Sequence, residues 1–145
     1  MVQVKFLKED ILKEIENISS VIGANRSTDD GNIQFDRLSM TGDDAITFNT
    51  LLLNAWHEIW RKLSLWIADA SMRDNMLTFT MKLQHDNEIL NNEIKQFLVS
   101  HILGNWFMMK GVEDAQVYLS DATLRLDNIT MLLRKKLYDR KSSPF

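Results

Sequence analysis

Residues 41–69, TGDDAITFNTLLLNAWHEIWRKLSLWIAD, set the reading of this chain. Apolar side chains recur at helical intervals along two lines. One runs Ile46, Leu53, Trp56, Trp60, Leu63 and Ile67, and the other Phe48, Leu52, Ala55, Ile59 and Trp66. Only a narrow strip through Asn54, Glu58, Arg61 and Lys62 is plainly polar. A surface helix carries one apolar stripe, and a helix apolar nearly all round must be covered nearly all round. A helix over 43–69 is therefore expected to finish its burial against another subunit. Phe48, Leu52, Ile59 and Trp66 are the candidate interface residues. Thr41, with Asp44 three residues on, reads as a capping box opening that helix.

Outward from this stretch, residues 2–6 alternate apolar and polar, which is strand periodicity, and the chain then turns helical over 7–22. Gly23 is the expected stop. Residues 23–42 form a long polar loop, expected to be mobile or ordered by a partner, with a short strand possible around Ile33 and Phe35. Beyond the long helix, SMRDN reads as a turn. Leu77, Phe79, Met81 and Leu83 then alternate with polar residues, predicting a strand near 76–84. A lone strand leaves its backbone unsatisfied, so it needs residues 2–6, residues 32–36 or another subunit beside it. Helices follow over 88–109 and 113–138, separated by Lys110-Gly111. The last carries a near-heptad seam through Val112, Ala115, Leu119, Ala122, Leu126, Ile129, Leu133 and Leu137. The fold class is thus mainly α: a single domain over 1–145, an antiparallel bundle of about four helices with a small β element.

Composition narrows the function. The chain has 145 residues, 45% hydrophobic and 26% charged, with a net charge of −3 and no cysteine. That excludes thiolate chemistry and cysteine-bound zinc and argues against a general nucleic-acid binder. Charges at Lys5, Lys8, Glu9 and Asp10 break any signal-peptide core. No apolar run approaches the roughly 20 residues of a membrane span. There are five scattered glycines, so no phosphate-cradling loop. His85 and Glu88 read as a solvated junction and His57-Glu58 diverge on a helix. His101 reads as a core or interface histidine. Asp29, Asp30, Asp36, Asp43 and Asp44 match no calcium-loop spacing. The four tryptophans read as packing rather than a ligand pocket. The expectation is a protein that is not an enzyme, with no cofactor, no metal, no small-molecule substrate and no membrane partner. One charge feature stands out: Arg134, Lys135, Lys136, Arg140 and Lys141 lead into a basic tail over 139–145. They are the candidate contacts for DNA or an acidic partner.

The order of parts resembles the small head–tail connector proteins of tailed bacteriophages and prophages. The matching stretches are FDRLSMTGDDAITFNTLLLNAWHEIWRKLS, the strand LTFTMKL and DATLRLDNITMLLRKKLYDRKSSP, covering about residues 35–144. The resemblance is one of layout, an acidic-capped long helix, a β element and a helical hairpin with a basic end, and it transfers no site residue. It implies a non-enzymatic structural subunit of the virion neck, assembled in the host cytoplasm. Such a subunit forms a ring of identical copies between portal and tail-side proteins, with DNA passing through without sequence-specific contact. A small homo-oligomeric adaptor and a DNA-associated regulatory protein are the other classes that fit.

Overall fold

The computed structural model describes the backbone of residues 1–25 and 38–142 and the side chains of 1–24 and 38–135. The chain is mainly helical with one small sheet. In order come β1 (Val2–Leu7), α1 (Lys8–Asn25), a 3-10 turn (Gly42–Asp44) and α2 (Ala45–Lys62). Then follow β2 (Ile67–Arg73), β3 (Met76–Met81), α3 (Glu88–Met109) and α4 (Asp114–Ser142). The possible strand at 32–36 lies outside the described residues.

The strand at 76–81 finds both its partners within the chain. It is the centre of a three-stranded antiparallel sheet in the order β1-β3-β2. Val4 lies opposite Phe79 and Phe6 opposite Leu77, so both strands turn the same parity inward. Val4, Phe6, Leu77, Phe79 and Met81 are buried, whereas Gln3 and Lys5 on the other face are exposed. That is the expected form of an antiparallel sheet with one solvated face.

β2 is a correction to the sequence reading. Residues 67–69 are not the end of the long helix, which closes at Lys62. Leu63 N–H still bonds Ile59 O, Trp66 N–H turns back to Leu63 O, and the chain enters the sheet at Ile67. A register shift between Ile67 and Asp69 breaks the alternation that would have marked a strand. The β2–β3 hairpin turns at Asp74, with a φ of 52°, which aspartate tolerates better than most residues.

That turn also serves α1. Its first N–H groups have no partner within the helix. Lys8 N–H bonds Asn75 O at 2.8 Å, and Glu9 N–H bonds Asn75 Oδ1 at 3.0 Å. α1 then runs through Gly23 to Asn25, so Gly23 is not its stop. Its Ile11 and Ile15 are fully buried.

The helix covered on most sides is α3, not α2. Eleven of its residues are buried, among them Phe97, Leu98, Val99, Ser100, Gly104 and Trp106. Asn87 caps its start by accepting from Leu90 N–H. Its end is a Schellman motif: Gly111 N–H reaches Met108 O, and Val112 N–H reaches Phe107 O at 3.0 Å. Gly111 takes the left-handed conformation this requires, with a φ of 69°. α4 packs on α3 through Ala115, Ala122, Leu126, Ile129 and Leu133. At Gly104 the approach is closest: a Cβ there would lie 2.6 Å from Leu119 Cδ2 and 3.1 Å from Leu119 N.

The polar loop of the sequence reading is anchored at its downstream end. Leu38, Ser39 and Met40 are buried. Trp106 Nε1 donates to Leu38 O at 2.7 Å, and Met40 N–H donates to Ser19 Oγ at 2.9 Å. Thr41 and Asp44 form the capping box expected of them. Residues 26–37 lie outside the described residues.

Candidate interaction surfaces

α2 buries one side only. Phe48, Leu51, Leu52, Ala55, Trp56 and Ile59 face inward, and Trp56 stacks on Phe79 with ring centroids 3.9 Å apart. Three of the four candidate interface residues, Phe48, Leu52 and Ile59, are therefore core residues of this chain. A partner cannot reach them without opening the fold. Trp66, the fourth, is half-buried beside the core, where its carbonyl accepts from Lys82 N–H.

The apolar groups that α2 does present belong to the other line. Ile46 is 85% exposed, Leu53 43% and Trp60 40%. They fall seven residues apart, so they stack along one side of the helix over about 21 Å. The polar residues Asn49, Thr50 and His57 lie between them, all exposed. This was the readable signal. The inward side takes apolar residues from both lines, Trp56 and Leu63 included, at nearly every three- or four-residue step, whereas the outward side keeps them only at every seventh.

α4 repeats the arrangement. Val117, Leu124 and Met131, again seven apart, are each more than half exposed. They lie opposite the buried line of Ala115, Ala122, Leu126, Ile129 and Leu133. Sequence reasoning found the inner seam of this helix and missed the outer one. Met131 also borders an open groove of about 350 Å³ between the start of α3 and the end of α4, whose other walls include Ile89, Leu132 and Lys135.

Where α3 meets α4, several polar groups are paired, although Glu93 Oε2 is buried with no hydrogen-bond partner among the described residues. Ser100 Oγ donates to Asp121 Oδ2 at 2.6 Å, and Arg125 Nη1 meets Glu93 Oε1 at 2.9 Å. Burial pulls the Arg125 guanidinium down, but Asp121 and Glu93 outweigh it and hold its pKa above the ordinary value. Burial, helped by the nearby Asp114 and Asp121 carboxylates, also raises the Tyr118 phenol.

A second groove, about 310 Å³, opens between α2, α3 and α4 and is bordered by Glu58, Lys62, His101, Thr123 and Asp127. Burial lowers the pKa of His101, and Glu58 only partly offsets this. Phe97 lies against its ring, and Asn105 Nδ2 is 3.3 Å from its Nδ1. This is a packed histidine. Among the described residues no three histidines or carboxylates gather in a way that could hold a metal ion. Likewise, no helix is long and apolar enough to cross a membrane.

Of the candidate DNA contacts, Arg134 and Lys135 are exposed. The side chains of Lys136, Arg140 and Lys141 lie outside the described ones. The backbone adds a correction: α4 continues to Ser142, so Arg140 and Lys141 belong to its last turns rather than to a tail beyond it.

No protein-family model, curated protein or solved structure matches the chain.

Proposed function

We propose that this protein is a non-enzymatic structural subunit that assembles with copies of itself into a ring at the head–tail junction of a tailed phage virion. The observation that carries this reading is the pair of exposed apolar lines, Ile46–Leu53–Trp60 on α2 and Val117–Leu124–Met131 on α4. Repeated at a fixed seven-residue spacing along the backs of two helices, these side chains stabilise anything only when another surface covers them. The layout supports the same reading: an acidic-capped helix, a β-hairpin and a close helix pair with a basic end. The helix pair is an antiparallel hairpin within a four-helix bundle. Glu93 meets Arg125, Ser100 meets Asp121, and Gly104 faces Leu119, so positions rise along one helix as they fall along the other.

In the assembled neck the portal lies on one side of the ring and tail-side proteins on the other, and DNA passes through its channel. Arg134, Lys135, Lys136, Arg140 and Lys141 put five positive charges within eight positions of a chain with net charge −3. Such a cluster suits phosphates, and contacts to phosphates alone carry no base sequence. Native mass measurement of the purified protein, alone and with the portal of its own virus, tests the reading. A large closed oligomer is the expected result. A species that stops at a dimer under both conditions supports the small adaptor instead.

A further inference from the structure

The two exposed apolar lines lie on different faces of the subunit. On α2, Glu58 and Lys62 turn toward α4 across the groove they share, while Leu53 and Trp60 lie on the side of the helix turned away from it. On α4, Leu124 points away from the core altogether. A subunit with matched but distinct patches on two faces can join head to tail, and such contacts close into rings when the rotation allows.

The lines match in spacing, and their ends match in charge. Set antiparallel, Ile46 faces Met131, Leu53 faces Leu124 and Trp60 faces Val117. The same register brings the exposed Asp43, just before α2, opposite the exposed Arg134 near the end of α4. It also brings the C-terminal end of α2, where Arg61 is paired with Glu58, toward the acidic start of α4 at Glu113. A parallel arrangement would instead put Asp43 beside Glu113 and the basic ends together. We infer that the outer line of α2 packs antiparallel against the outer line of α4 in the next copy of this chain, with Leu53 meeting Leu124. The inference rests on the ring reading and names its contact.

The chain has no cysteine, so disulfide trapping reports the contact directly. Three variants are compared under mild oxidation: Leu53→Cys, Leu124→Cys and the double variant. Both sites are exposed, so the fold should survive, and thermal melting of the reduced proteins verifies it. The expected result is that each single variant stays monomeric on a denaturing gel while the double variant gives a ladder extending beyond the dimer. Mixing the two single variants should give dimers and nothing larger. A dimer from Leu124→Cys alone would show α4 pairing with α4 about a two-fold axis and overturn the inference. A native oligomer with no ladder would overturn the contact but leave the ring standing. A protein that stays monomeric both at high concentration and with the portal, with no ladder, would remove both.

Discussion

α3 and α4 are neighbours along most of their length, yet they meet solvent in opposite ways. α3 is surrounded: α1, α2 and α4 all pack on it, and residues as polar as Ser100 and as small as Gly104 are buried. α4 rests on α3 along one line and turns its back to water, with Leu124 and Met131 on that back. The lesson is that apolar content does not locate the centre of a fold; the number of neighbours does. A leucine on α3 stabilises the subunit. A leucine on the outer line of α4 can contribute only when something else covers it.

The contrast can be broken most severely from the inner side of α4. Ile129→Asp would place an unpaired carboxylate at a fully buried position, costing several kcal/mol, comparable to the stability of a whole domain. The variant should be unfolded or aggregated by circular dichroism. Leu124→Asp, one and a half turns away on the outer side, should melt within about 0.5 kcal/mol of the parent when both are compared as dissociated monomers, while lowering the assembled mass. If the two variants melted alike, the division into inner and outer lines would be wrong.

Gly104→Val tests the closeness of the helix pair. Its side chain would collide with Leu119 and press on the α4 backbone, and overpacking of this kind costs about 1–3 kcal/mol. Denaturant unfolding should show a lower midpoint with little change in slope. Trp106→Phe, with an effect of similar size, probes how α3 holds the segment at Leu38. It removes the donor to Leu38 O and leaves a buried carbonyl unpaired, a loss of about 1–3 kcal/mol. Amide exchange should quicken around Met40 more than in α4, and uniform quickening would count against a local anchor.

The smallest effect concerns pH. His101 has a folded pKa below its ordinary 6.5, chiefly through burial. The unfolded chain therefore binds the proton more readily, and stability falls as pH drops through 6.5 toward the folded value. Above 6.5 the contribution is flat. His101→Gln should lose less stability than the parent over that acid interval, measured as the difference between the two melting curves. An identical acid dependence would mean that the ring is not desolvated in solution.

Much of the fold is legible in the sequence because period and punctuation agree. α3 is bounded by an asparagine cap and a glycine stop, and both mark its ends at the residues observed. β3 alternates without a fault. β2 was hidden because its register shift interrupts the alternation just where Leu63 and Ile67 continue the helical spacing of α2. The core place of Phe48, Leu52 and Ile59 was hidden for a related reason. α2 carries two apolar lines, and helical period alone does not say which of their residues meet the core. Packing against α3 and the sheet decides it, and those neighbours are far away in sequence. The exposed positions of α4 were readable one by one, but their meaning depends on knowing that its other side is already full.

The cap at the start of α1 has a consequence for how this protein is made. Among the described residues β1 pairs with β3 alone, and the first N–H groups of α1 are held by Asn75 in the hairpin turn. Among the described residues the first strand thus has no sheet partner until the hairpin has been translated, although α1 can already meet the segment at Met40 through Ser19. On the ribosome, where chains emerge from the N-terminus at about 5–20 residues per second, the first strand and helix must wait several seconds with their apolar faces uncovered. Val4, Phe6, Ile11 and Ile15 are the residues exposed during that interval. A slow or paused translation of residues 67–81 would lengthen it, and so would set how often a newly made subunit is lost to aggregation before it can fold.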